Sequence, residues 1–231
     1  MSESLEKYKE KMSAKRRVRQ QALAILRRSA DAGISPKYMR IKRKTLKPLL
    51  CKDFFGGEKK VDEALDFIYN HPMDLIKKPF IVIDGGDVYG RKIVGNALLF
   101  RFIGCDKVGL QETATTLSRS FQTFTTDGIG RNDYLTNLLR PDILLISDFH
   151  PGMLRTESMN GGDFFDDLLG KREEMGKVTI ISFQLPIPGK QIIDGSGLLT
   201  DMRYGQYLCM LSKADKTNRD NIYRIRVNIN E

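Results

Sequence analysis

Apolar residues first recur along the chain at helical spacing. Leu5, Tyr8 and Met12, and further on Ala22 and Ile25, recur at steps of three and four, as the apolar face of a helix over 4–30 does. Gly33 is a natural stop for it. Residues 34–60 break the pattern with Pro36, Pro48 and the Gly56-Gly57 pair, and read as a linker or a wrapped segment. VDEALDFIYN (61–70) is amphipathic and helical again. Apolar runs then take over. KPFIVIDGG (78–86), ended by two glycines, predicts a buried strand, and RKIVGNALLFRFIG (91–104) a buried helix. KVGLQETA predicts a second strand, TLSRSFQTF and RNDYLTNLLR two helices, and PDILLISDF (141–149) a strand ending in an acid. FFDDLLGKREEMG predicts a helix and KVTIISFQLP a further buried strand, with YLCMLS and IYRIRVNI as closing strands. Strands that alternate with helices define βαβ units, hence an α/β fold with a mostly parallel sheet. Three regions follow: a helix over 1–33, a linker over 34–60 and a core over 61–231.

Composition narrows the function classes. The chain has 231 residues, 41% hydrophobic and 29% charged, which suits a globular protein with a real core. No apolar run approaches the roughly 18 residues of a membrane span, and the polar start MSESLEKYKE lacks the apolar stretch of a secretory signal. Cys51, Cys105 and Cys209 are isolated and odd in number, against a disulfide framework or a CxxC zinc site. The expected compartment is the reducing cytoplasm. Charge is placed unevenly. Residues 1–60 hold 18 Lys and Arg against 6 Asp and Glu, while the remainder holds 20 against 23. A near-neutral core with a basic front end points to a polyanion or an acidic partner surface; the plain alternative is a solvated helix. Lys15, Arg16, Arg17 and Arg19 crowd the middle of that helix.

The strand at 80–83 leads into Gly85-Gly86-Asp87-Val88-Tyr89-Gly90-Arg91-Lys92 and then a helix. A phosphate loop reads G-x-x-x-x-G-K-[ST] in the same context, with backbone N–H groups and the helix N-terminus facing the anion. Gly85 and Gly90 keep the glycine spacing, but Arg91 holds the lysine position and Lys92 the hydroxyl position. A planar guanidinium does not replace a lysine on phosphates, and loss of the hydroxyl removes a Mg²⁺ ligand. Asp87 adds repulsion. The other reading is a glycine-rich turn with no ligand. Asp148 ends its strand where an acid that holds Mg²⁺ belongs, but Phe149 follows where a carboxylate would orient water. His150 has the chemistry of a base, yet it precedes Pro151-Gly152 and reads first as a turn residue.

The order of these segments resembles the AAA+ ATPases of the DnaC/DnaI-type replicative helicase loaders and the related IstB-type transposition ATPases, over about Gly33 to Gly205. Gly33-Ile34-Ser35-Pro36-Lys37-Tyr38 is similar to the GIPxRY motif before that family's ATPase core. Gly85 to Lys92 falls at its Walker A loop, and SRSFQTFTTDGIGRNDYLTNLLRPDILLISDF at the stretch leading into Walker B. LLGKREEMGKVTIISFQLP resembles RxxxGKPTIITSNLP, and DMRYG resembles DRMRLG near the lid.

The resemblance implies a three-layer AAA+ core with a basic N-terminal helix and an atypical lid. It implies nucleotide contacts from Gly85, Gly90, Arg91, Lys92 and Asp148, a sensor amide at Gln184, a trans-acting finger at Arg172 and a lid arginine at Arg203. Asp201 stands where the first, nucleotide-sensing lid arginine would be. Asp148 and Gln184 are the catalytic candidates. Four departures fall in one functional set: the loop lysine, the loop hydroxyl, the Walker B glutamate and a lid arginine. They imply that ATP or ADP with Mg²⁺ is held weakly or not at all, and that hydrolysis is lost. The implied partners are a DnaB-type replicative helicase and single-stranded DNA, with a homo-oligomer if Arg172 reaches a neighbour. The Leu5, Tyr8, Met12 stripe would meet the helicase; packing on its own core is the alternative. Lys15 to Arg19 would meet acidic protein or DNA. Arg119, Phe121, Phe124 and Arg131 would grip a single strand, unless the phenylalanines are core. A trimmed loader suits a phage or plasmid. Two other functions stay open: an active AAA+ ATPase of replication or transposition, and an interaction protein that blocks a host loader or helicase.

Overall fold

The computed structural model describes residues 2–123, 128–149, 161–183 and 222–228. Five strands form one parallel sheet: β1 (Phe80–Gly85), β2 (Gly109–Thr113), β3 (Ile143–Phe149), β4 (Val178–Phe183) and β5 (Ile222–Val227), in the order β2-β3-β4-β1-β5. The strands read from the apolar runs at 78–86, 107–114, 141–149 and 177–186 are β1 to β4, and IYRIRVNI supplies β5. YLCMLS, the lid, Gln184, Arg203, Phe124 and His150 lie outside the described residues.

Both faces of the sheet are covered, as near-continuous apolar strands require. On one face Ile81, Ile83, Ile143, Leu145 and Ile180 pack against α6 (Val88–Gly104), α4 (Glu58–Asn70) and the end of α1 (Ser2–Asp31). On the other, Phe80, Val82, Leu144, Ile146 and Ile181 pack against α7 (Ala114–Thr123), α8 (Gly128–Leu139) and α9 (Gly161–Glu174). The result is the three-layer α/β architecture expected from the strand–helix alternation.

Only the last turns of α1 join this body. Ser29 and Ala32 are buried, Arg28 pairs with Asp106 at 2.9 Å, and the Gln111 N–H donates to the Ala32 carbonyl at 2.8 Å. Gly33 ends the helix at φ +85°, the left-handed turn the sequence calls for. Upstream, residues 10–24 are exposed on every side, including Val18 at 65%. A helix of 30 residues is roughly 45 Å long, so α1 is an arm.

Residues 34–60 wrap the body. They include α2 (Arg43–Leu46), a 3₁₀ turn (Lys47–Leu49) and α3 (Lys52–Phe55). Leu46 and Leu50 are fully buried. The Cys51 N–H donates to the Arg226 carbonyl at 2.9 Å, and the Asn228 N–H to the Leu49 carbonyl at 2.7 Å. Residues 49–51 thereby cover part of the free edge of β5, which an exposed edge strand needs. Of the two readings of this stretch, a linker or a wrapped segment, the two buried leucines favour the second. A last, short helix, α5 (Pro72–Leu75), leads to β1. Among the described residues no helix is long and apolar enough to cross a membrane.

Candidate nucleotide-site region

The carboxyl ends of β1 and β3 meet the N-terminus of α6, where a parallel sheet places ligands. The chain departs here from the phosphate-loop expectation. Helix α6 starts at Val88, three residues before the helix read from the sequence. The cause is Asp87, an N-cap whose Oδ1 accepts the Gly90 N–H at 2.5 Å. Val88, Tyr89 and Gly90, which would wrap a phosphate, are wound into the first helical turn. The carboxylate facing the helix N-terminus is the protein's own.

Two glycines remain in the turn, at φ +73° (Gly85) and +53° (Gly86). A Cβ on Gly85 would lie 2.6 Å from the Val227 carbonyl oxygen, and one on Gly86 2.5 Å from that of Asn228. Close approach of the β5 end therefore demands glycine here without any ligand.

Arg91 folds back into this turn. Its Nη1 donates to the carbonyl oxygens of Gly85 and Gly86, each at 2.7 Å, and the side chain is 1% exposed. Burial lowers its pKa, while the nearby Asp148, Asp87 and Asp84 carboxylates raise it. The Lys92 Nζ lies 2.7 Å from Asp148 Oδ2. Asp148 is held at φ +59°, where the β3–β4 register slips between Ile146 and Phe149. That left-handed step is rare outside glycine, asparagine and aspartate. Phe149 turns into the core, 1% exposed, with its ring edge-on to Phe165 at 5.3 Å and Phe183 at 5.1 Å.

These side chains do not fit a magnesium nucleotide. A carboxylate stands at the anion position, an ammonium bridges to the acid that would hold metal, and the water-orienting position is a buried ring. Among the described residues no group of three or more His, Cys, Asp or Glu is arranged for a metal. If Asp148 were a metal ligand, Asp148→Asn would leave the fold unchanged and remove a magnesium effect. Here it breaks the pair with the partly exposed Lys92, at an expected cost of about 1 kcal/mol. Urea denaturation should give a lower midpoint for the variant, and millimolar magnesium should not move the midpoint of the wild-type chain.

Arg172 is not placed to reach a neighbouring subunit. It is fully buried and donates five hydrogen bonds: to Thr179 Oγ1 at 2.9 Å, and to the carbonyls of Leu138 (2.8 Å), Pro141 (3.0 Å), Asp142 (3.3 Å) and Val178 (2.7 Å). Burial pulls its pKa down to about 10, against the opposing effect of Asp142. It clamps the turns between α8, β3, α9 and β4.

Lys15, Arg16, Arg17 and Arg19 lie exposed on the arm with no ion pair among the described residues. Arg119 is exposed on α7. Phe121 and Arg131 belong to α7 and α8 on the same face of the sheet, with side chains outside the description.

Sequence reasoning missed one cluster. Asp84 on β1, fully buried, pairs with both Arg224 and Arg226 on β5. Arg226 Nε donates to Asp84 Oδ1 at 2.9 Å and its Nη2 to Oδ2 at 3.4 Å. The signal was present: arginines two apart in IYRIRV share one strand face, and Asp84 is the only charge in FIVIDG.

An all-parallel β2-β3-β4-β1-β5 sheet with helices on both faces is the AAA+, P-loop NTPase-like fold. Structural neighbours include replication proteins. DnaA bound to AMPPCP, from Aquifex aeolicus, aligns at TM-score 0.53 and 12% identity over 83% of this chain and 51% of its own. A replication initiator DnaA bound to AMPPCP and single-stranded DNA gives the same score and identity, over 83% and 50%. A DNA replication initiation factor aligns at TM-score 0.51 and 10% identity, over 72% and 45%. The DnaC helicase loader aligns at 0.47 and 14%, over 71% and 89%. The chain thus spans about half the length of the DnaA and initiation-factor chains. No family model and no curated protein matches the sequence.

Proposed function

We propose that this chain is an accessory DNA replication protein of the helicase-loader type, binding a DnaB-type helicase and single-stranded DNA without efficient ATP hydrolysis. One observation carries the reading: the AAA+ core has its nucleotide-facing positions filled by its own Asp87, Arg91 and Lys92. An active ATPase would need those positions free. The exposed basic arm supports contact with a polyanion or an acidic groove, and a DnaA of this fold has been captured with single-stranded DNA. The burial of Arg172 removes the residue ground for a trans-acting finger.

The test is calorimetric titration with ATP and Mg²⁺, phosphate release in the presence of single-stranded DNA, and binding to labelled DNA and to a DnaB-type helicase. Expected are no heat, no release, and DNA binding that weakens with salt. Changing Lys15, Arg16, Arg17 and Arg19 together to alanine should weaken helicase or DNA binding. If the arm tracks phosphates, the log–log salt slope should fall by up to roughly 3, at about 0.7 per phosphate contact on a single strand. Magnesium-dependent turnover would replace this reading with an active ATPase. Failure to bind either partner would end it.

A further inference from the structure

The early start of α6 has a consequence at its outer surface. It leaves Val88 41% and Tyr89 59% exposed in the first turn. Tyr89 is not isolated there. The Lys37 ammonium lies 5.9 Å from the centroid of its ring and 4.7 Å from that of Tyr38. Both separations are within cation–π range. Tyr38 is half-buried against the core, so one ring of the trio is fixed to the body.

Cations continue from this point. Arg40, Lys42 and Lys44 are exposed, and none of them, nor Lys37, forms an ion pair among the described residues. Their neighbours behave differently. Arg43 bonds to Asp66 and to the Asp62 carbonyl, and Lys47 lies 2.7 Å from Asp62. The stretch thus sorts its charges: Arg43 and Lys47 hold α4, while Lys37 lies against two aromatic rings and Arg40, Lys42 and Lys44, next along the chain, are exposed. Like charges at this density repel one another, and an exposed ring leaves apolar area in water. A flexible polyanion with flat faces relieves both. Its phosphates meet the lysines and arginines, and its unpaired bases stack on the rings. A duplex does so poorly, because its bases are already stacked inside.

We propose that Lys37, Tyr38 and Tyr89, continued by Arg40 and Lys42, form a stacking platform for single-stranded nucleic acid beside the first turn of α6. It is separate from the 119–131 stretch to which the sequence resemblance assigns strand contacts. It deepens the proposed function and rests on its DNA-binding half.

The full chain has eight tyrosines and no tryptophan, so tyrosine emission is unmasked and the difference between wild type and Tyr89→Ala isolates the part of the quench due to Tyr89. The probe is an end-labelled oligothymidylate, followed by anisotropy at several salt concentrations, with an unlabelled one for emission. Tyr89→Ala should weaken binding at least about fivefold, reduce the emission quench, and leave the salt slope unchanged. Tyr89→Phe should bind as wild type. Lys37→Ala should lower the slope by about 0.7. Tyr89 and Lys37 are exposed, so all three variants should melt as wild type does. Wild-type affinity in both Tyr89→Ala and Lys37→Ala would overturn the platform while leaving the proposed function standing. Equal affinity for duplex, or a Tyr89→Ala defect confined to free ATP, would also overturn it. A wild-type chain that binds no single strand at all would overturn both.

Discussion

Replacing Arg172 by alanine is expected to lower the unfolding free energy by about 4 kcal/mol, enough to consume much of the stability of an ordinary domain. The side chain is fully buried, and its guanidinium donates to four backbone carbonyls and one hydroxyl. The Asp142 carbonyl keeps the Val178 N–H at 3.0 Å, but truncation takes the guanidinium donor from the other acceptors in a space that water does not reach freely. Each orphaned buried acceptor costs about 1–3 kcal/mol, and partial collapse recovers some of the total. A cavity the size of a guanidinium adds to it. Arg172→Lys should recover less than half, because one ammonium cannot reach acceptors arranged around a planar fork. Urea denaturation measures both. A trans-acting finger predicts the opposite pattern, with an isolated chain as stable as wild type after the change. A midpoint shift worth less than about 1 kcal/mol, the scale of an ordinary surface substitution, would therefore return Arg172 to the interface role and refute its part as a clamp.

How much of this was legible in the sequence depends on where each decision is made. The strands were legible because a strand buried on both faces has to be a continuous apolar run, and FIVIDG, ILLISDF and VTIISF are such runs. Asp148 does stand at a strand end, but Phe149 needed the left-handed step at Asp148 to reach the core, and backbone twist leaves no mark in composition. The start of α6 was not legible. Gly85 to Lys92 satisfies a degraded phosphate loop and a capped helix turn equally well. The choice is made by Val227 and Asn228, which approach Gly85 and Gly86 from more than a hundred residues away in the chain. Arg172 failed for the same reason. Its partners Leu138, Pro141 and Asp142 lie 30 to 34 residues earlier in the chain, and a motif alignment carries only local order. Leu46 and Leu50 were hidden by their surroundings, since basic and proline-rich flanks outweigh two leucines in any local window.

The same long-range contact makes Asp84 the second position with a large expected effect. Asp84→Ala should destabilise the chain by about 3 kcal/mol. Asp84 is fully buried, while its partners keep some solvent: the Arg224 and Arg226 side chains are 11% and 24% exposed. Removing the carboxylate takes away the charge that the two guanidinium groups share. Their partial exposure is why the expected cost falls at the lower end of the range for broken buried pairs. Asp84 pairs in register with Arg226, so the loss acts on the seam between β1 and β5. It is also the seam against which the Gly85-Gly86 turn is packed. Strand β5 lies at the sheet edge, so hydrogen exchange should show its amides losing protection before those of β3 and β4. Asp84→Asn keeps an acceptor without the charge and should fall between wild type and alanine. Changing Arg224 and Arg226 to methionine in the alanine background removes the repulsion and should recover part of the stability, because a buried ionic cluster replaced by apolar groups of similar volume is often neutral. If Asp84→Ala alone melts with the wild type, the two arginines are solvated in the native state. The Gly85-Gly86 turn is then held by its close packing on Val227 and Asn228 and by Arg91.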